Sequence, residues 1–104
     1  MSIPLTARAD VRTDAPGRYA KQLVSHLGHK LEFTTVGNIS TATIGAGVGS
    51  VEVGDGVLTL HAAGPDTEAL ERVKDVLGRH LERFGTRQEL AVVWDAAGAA
   101  SQGV

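Results

Sequence analysis

Residues 5–28, LTARADVRTDAPGRYAKQLVSHLG, combine a strand with a helix and decide the class of fold. Apolar and polar residues alternate from Leu5 to Val11, the period of two that a half-buried strand requires. Residues 13–16 then supply a capping threonine, an acidic residue and a first-turn proline, which together indicate the start of a helix. Apolar residues recur at helical spacing from Tyr19 to Leu27, and Gly28 is a natural stop.

The same two periods continue through the chain and predict the order β-α-β-β-β-β-α-β. A second helix begins with Pro65 at its first position and carries one apolar stripe as far as Phe84. Because each helix has one apolar face, both need the apolar face of one antiparallel sheet. We therefore expect an α+β two-layer sandwich with both helices on one face, ferredoxin-like with an extra hairpin. The remaining strands are predicted over residues 31–36, 39–44, 48–53, 57–62 and 89–94.

Length and composition limit the organisation and the classes of function. The chain has 104 residues, no cysteine and a formal net charge of −2. We predict a single α+β domain over residues 1–94 and a flexible tail over residues 95–104. The absence of cysteine excludes disulfides and thiolate metal sites, and the balanced charge disfavours nucleic acid and anionic membranes as partners. No signal peptide or bilayer-length apolar run is present, so we expect a cytoplasmic protein.

Three histidines form the candidate functional site, with the role of metal ligands. His26 lies on the flank of the first helix, His29 just beyond its end, and His80 on the apolar stripe of the second helix. If the helices pack side by side, His26 and His80 approach each other. Neutral imidazoles bind Zn, Cu, Ni or non-haem Fe, and three suffice with water in the fourth position. An empty site should hold at least two of the rings within roughly 4–6 Å of each other.

A second hypothesis gives these histidines a structural role, because a histidine on an apolar stripe is often hydrogen-bonded to a carbonyl or a carboxylate. The protein would then be a non-catalytic dimerisation or protein-interaction module. The sheet's other face carries a mixed surface that could support a homodimer. It has Arg8, Asp10 and Arg12 on the first strand, and Val57, Thr59, Ala91 and Val93 further across.

Catalytic and nucleotide-binding patterns are weak, so the sequence favours binding over enzymatic activity. Ser25 and His26 would point about 100° apart on a helix, which is no nucleophile–base geometry. The glycine-rich run Gly45–Ser50 lacks the third glycine of a dinucleotide fingerprint and the lysine of a phosphate loop, and it indicates a hairpin instead.

The chain also resembles the bacterial family known as domain of unknown function 2218 over about residues 5–94. The resemblance lies in the segments TARADV (6–11), RYAKQL (18–23), SHLGHK (25–30), VLGRHLERF (76–84) and ELAVVW (89–94). It implies a small bacterial domain with no established activity, found alone or joined to siderophore-interacting flavoproteins that release iron from ferric chelates.

Taken together, we expect an accessory domain that binds a divalent metal, iron or an iron chelate through His26, His29 and His80. A siderophore-interacting reductase is the partner that the resemblance implies. A small haem- or chelate-processing enzyme is a third reading, which rests on analogy of fold alone.

Overall fold

The computed structural model describes residues 4–84, 90–95 and 98–99. The predicted order of elements is confirmed, and the fold is α+β. Within the described part of the chain, no helix has the length and apolar character needed to cross a membrane. The elements are β1 (Leu5–Arg12), α1 (Pro16–Leu27), β2 (Thr34–Val36), β3 (Ile39–Ile44), β4 (Gly47–Val53), β5 (Val57–Gly64), α2 (Thr67–Phe84) and β6 (Gly98–Ala99).

The strands form one antiparallel sheet in the order β2-β3-β4-β5-β1-β6. β1 therefore lies between β5 and β6, and Leu5 is opposite Gly64 on one side and Ala99 on the other. In a ferredoxin-like sheet the four basic strands would be β6, β1, β5 and β2. The hairpin of β3 and β4 is inserted between β5 and β2, which agrees with the predicted extra hairpin.

Both helices pack on one side of the sheet, which we call the inner face. The core lies between the helices and this face. Of the helix residues expected in the core, Phe84 is only half-buried. The others are buried as the periodicity predicts: Tyr19, Leu23, Leu27, Leu70, Val73, Leu77 and Leu81. The strands contribute the buried side chains of Ala7, Ala9, Val11, Ala42, Ile44, Val51, Leu58, Leu60 and Ala62.

The start of α2 differs from the prediction, which places Pro65 at its first position. The helix begins at Thr67, and Asp66 caps it, because Asp66 Oδ1 accepts a hydrogen bond of 2.8 Å from the backbone N–H of Ala69. Pro65 lies just before this cap. Upstream, β2 is also shorter than expected, since it begins at Thr34 rather than at Leu31.

Residues 90–95 are not assigned to a strand, although a strand is predicted over residues 89–94. The carboxylate Oε2 of Glu82 accepts a hydrogen bond of 2.8 Å from the backbone N–H of Val92. This bond ties the segment to α2 and uses a backbone donor that strand pairing would need. The last strand of the sheet is β6, a few residues further along the chain.

Asp95 connects this segment to β1. Its backbone N–H donates to the carbonyl of Arg8 at 2.9 Å, and its Oδ1 accepts from the N–H of Arg8 at 2.8 Å. Gly98 and Ala99, which the sequence places in the flexible tail, pair with β1. Residues 1–3, 85–89, 96–97 and 100–104 lie outside the described residues. Gly85, the expected end of α2, is one of them. The division into a domain and a flexible tail stays a prediction.

Candidate histidine site

His26 and His80 meet where the last turns of α1 and α2 lie side by side. Their ring centroids are 5.2 Å apart, and the ring planes are tilted by 43°. The edge-on ring of Phe84 lies 5.3 Å from His26. His26 is exposed and His80 is half-buried, so the pair lies at the surface rather than in the core. The approach of these two rings follows from the helix packing that the sequence predicts.

A backbone carbonyl fixes the proton of His80. Its Nδ1 lies 2.6 Å from the carbonyl oxygen of Val76, one helical turn earlier. A carbonyl can only accept a hydrogen bond, so Nδ1 carries the hydrogen and the neutral ring has its free lone pair on Nε2. Metal-binding histidines share this arrangement, because a bond at one ring nitrogen orients the other toward the metal. A structural histidine can make the same bond.

His29 is exposed in the turn that follows α1. The carbonyl of Leu27 accepts hydrogen bonds from the N–H groups of Lys30 and Leu31 at 3.0 Å and 2.8 Å, and these bonds shape the turn. No group of three histidine, aspartate or glutamate side chains that could hold a metal is found within residues 4–84, 90–95 and 98–99. The structure thus brings together two of the three predicted ligands, and their role as metal ligands stays a prediction.

A cleft of about 650 Å³ opens beside His80. Its lining includes Asp75, Arg79 and Glu82, and the carboxylates of Asp75 and Glu82 already have partners. Asp75 forms an ion pair with Arg79 at 2.8 Å, and Glu82 accepts the hydrogen bond from Val92. The acidic groups next to His80 are therefore engaged in holding α2 and the segment after it.

His61 lies apart from this pair, on the side of the sheet opposite the helices. Its Nε2 is 3.0 Å from Oε1 of Glu52, and the side chains of the two are 39% and 37% exposed. His61 thus offers a matched control, since it is a partly exposed histidine remote from the candidate site.

Two features of the site are missed by reasoning from the sequence. One is the packing of Phe84 against His26, and the other is the bond from His80 to Val76. The second has a signal in the sequence, because residues four apart on a helix lie one above the other. The contact between Phe84 and His26 joins two helices, and its sequence signal is only the position of Phe84 on the apolar stripe.

Comparisons with known proteins give a family for this chain and a solved structure of similar fold. The model of a family described as "Uncharacterized protein conserved in bacteria (DUF2218)" matches residues 8–95. Five chains of solved structures are similar, among them the NMR structure of PA4090 from Pseudomonas aeruginosa. The TM-score with PA4090 is 0.73 at 24% identity, over 93% of this chain and 99% of that one. No curated protein matches the sequence.

Proposed function

Since the chain belongs to DUF2218, an uncharacterised bacterial family, we propose a function from the site itself: His26 and His80 bind a divalent transition metal. The observation that supports this proposal is the 5.2 Å separation of the two rings at the surface. The bond from Nδ1 of His80 to Val76 supports it further, because it leaves Nε2 as the nitrogen with a free lone pair.

Two imidazoles leave several coordination positions of a metal open. Water or the donor atoms of a chelator would fill them, and His29 is the third protein ligand that we propose. Its exposed side chain is free of the core, so it can turn toward the pair without disturbing the packing. Imidazole suits Zn, Cu, Ni and ferrous iron, so the site selects for this class of metal rather than for Mg or Ca.

The proposal extends to iron as the metal and to a reductase as the partner. The family resemblance implies a siderophore-interacting reductase, and ferrous iron is the product that such an enzyme releases from ferric chelates. Imidazole ligands are suited to ferrous iron, so an accessory domain with open coordination positions could receive it in the cytoplasm. Co-sedimentation with a purified reductase of this class tests the partnership separately from metal binding.

Titration calorimetry with Zn²⁺, on protein without a polyhistidine tag, tests the site. We expect one bound metal per chain, with an affinity that falls at acid pH, because protonated imidazole cannot bind a metal. His26→Ala should weaken binding at least about tenfold, which corresponds to roughly 1.4 kcal/mol. His29→Ala should weaken it less, and His61→Ala should leave it unchanged.

The structural hypothesis is the second candidate, favoured by the packing of Phe84 against His26 and by the bond from His80 to Val76. In that case wild-type protein takes up no metal above background, and this result would overturn the metal proposal. His80→Ala then lowers the free energy of unfolding without any effect on metal uptake. The exposed His26 keeps the test informative even if His80→Ala fails to fold.

A further inference from the structure

The side of the sheet opposite the helices is uncovered in the described residues. We call it the open face. It carries alternate residues of each strand, among them Arg8 and Asp10 on β1, Thr59 and His61 on β5, Ser50 on β4 and Thr41 on β3. This surface lies on the opposite side of the sheet from His26 and His80, so its role does not depend on the proposed metal site.

Charge on the open face alternates along β1. Arg8 and Asp10 are neighbours on this face, with Arg8 Nε 3.1 Å from Asp10 Oδ1. Suppose that a second copy packs face to face against the first. The twofold axis that relates the two copies lies between the sheets, perpendicular to the strands, at the level midway between Arg8 and Asp10. The axis reverses the direction along the strands, so Arg8 of each copy is placed over Asp10 of the other. The Arg8–Asp10 pair is thus complementary in charge to itself.

Several polar groups at the centre of the open face are already bonded to one another, so they tolerate being covered. Thr59 Oγ1 donates a hydrogen bond of 2.9 Å to Asp10 Oδ1, and the residue Thr59 is only 5% exposed. Thr41 and Ser50 share a hydrogen bond of 3.0 Å. Covering groups that already have partners avoids the penalty of leaving a buried polar atom without one. Apolar side chains surround them, and Val36, Ile39 and Val48 are the exposed ones.

The area of the open face is sufficient for a weak specific dimer. Strands β1 to β5 are three to eight residues long, at about 3.3 Å per residue and about 4.8 Å apart, and together they present roughly 500 Å² per copy. Two copies would therefore bury about 1,000 Å² in total, which is near the lower limit for specific interfaces.

From this complementarity we infer that the open face binds the open face of a second copy, forming a homodimer in which Arg8 of each chain pairs with Asp10 of the other. The occupant is a second copy because the charge pattern complements itself under a single twofold rotation.

Sedimentation equilibrium at high micromolar concentration tests the dimer. Wild-type protein should have twice the 10.8 kDa mass of one chain. Arg8→Asp puts acid opposite acid, and Asp10→Arg puts base opposite base, so each variant alone should raise the dissociation constant at least about tenfold. As a control, Arg79→Asp breaks an exposed ion pair on α2, in the helix layer, and should leave the dimer intact.

Mixing the two variants gives the decisive result. In a 1:1 mixture of Arg8→Asp and Asp10→Arg chains, each acidic pair faces a basic pair, so the mixture should form a heterodimer although neither variant dimerises alone. A loss of folding cannot produce this rescue, and thermal melts of each variant check the fold independently. A wild-type mass of one chain, single variants that still dimerise, or a mixture that stays monomeric would each overturn the inference.

Discussion

Gly47 and Gly49 on β4 make room for α2 on the inner face of the sheet. A Cβ atom at Gly47 would lie 2.5 Å from the carbonyl oxygen of Ala63 and 2.7 Å from Cγ2 of Val73. At Gly49 it would lie 2.9 Å from Ile44 and 3.0 Å from Leu77. The glycine-rich run that invites comparison with a phosphate loop is a hairpin turn followed by the start of β4, as the sequence indicates, and the absence of side chains at Gly47 and Gly49 allows close packing.

We expect Gly47→Ala to lower the free energy of unfolding by about 1–3 kcal/mol, because overpacking forces backbone or side chains to shift. Gly17 in α1 is the matched control, since nothing lies within 4 Å of its Cβ position. Gly17→Ala should be neutral or stabilise by up to about 1 kcal/mol through helix propensity. Urea denaturation of both variants measures the difference, and equal effects would contradict the packing argument.

The carboxylate of Asp10 provides a prediction about pH. The hydrogen bond donated by Thr59, and then that from Arg8, lowers the pKa of Asp10 below its ordinary value. A lowered pKa means that the folded state favours the ionised carboxylate. The stabilisation is therefore fully present above the unfolded value of about 3.9 and is lost as the pH falls through the lower, folded value.

Carbon NMR titration of the Asp10 carboxyl measures this pKa directly. Thr59→Val removes the first hydrogen-bond donor, so the midpoint should rise toward the ordinary value for aspartate. Thr43→Val changes an exposed threonine on the same face and should leave the midpoint where it is. The explanation fails if Asp10 titrates at the same pH in wild-type protein and in Thr59→Val.

Among the elements, α2 depends on the side chain that caps its N-terminus. Asp66→Ala removes the acceptor for the N–H of Ala69 and should cost about 0.5–2 kcal/mol. Asp66→Asn keeps a capping oxygen and should retain most of the stability. Asp14→Ala, at an exposed aspartate before α1, serves as the control and should have little effect. Thermal melts of the three variants would refute this role if Asp66→Ala and Asp14→Ala melted alike.

Both helices and most strands could be predicted because their apolar periods are long and unbroken. The N-terminal boundary of α2 was missed since Pro65 and Asp66 both signal a helix start, and only the bond to Ala69 decides between them. The strand expected over residues 89–94 alternates correctly in sequence. In the structure the N–H of Val92 instead bonds to Glu82, a tertiary contact that no local pattern contains.

At the scale of the whole molecule, the meeting of His26 and His80 was predictable from helices that share one face of a sheet. The place of His29 just beyond α1 was predictable as well, whereas its approach to the pair depends on the path of the turn after Gly28. The charge complementarity of the open face was equally hidden. It depends on strand register, and only the register places Asp10 opposite Thr59.

The place of β1 between β5 and β6 also determines the order in which this chain can fold. The strands from β2 to β5 are consecutive and pair through short turns, so this meander can form from local contacts alone. The partners of β1 are far along the chain, since Arg12 pairs with Val57 and Leu5 pairs with Ala99. During synthesis β1 leaves the ribosome well before β5 and β6, so it stays unpaired until those strands have followed and is enclosed on both sides only after β6 has formed.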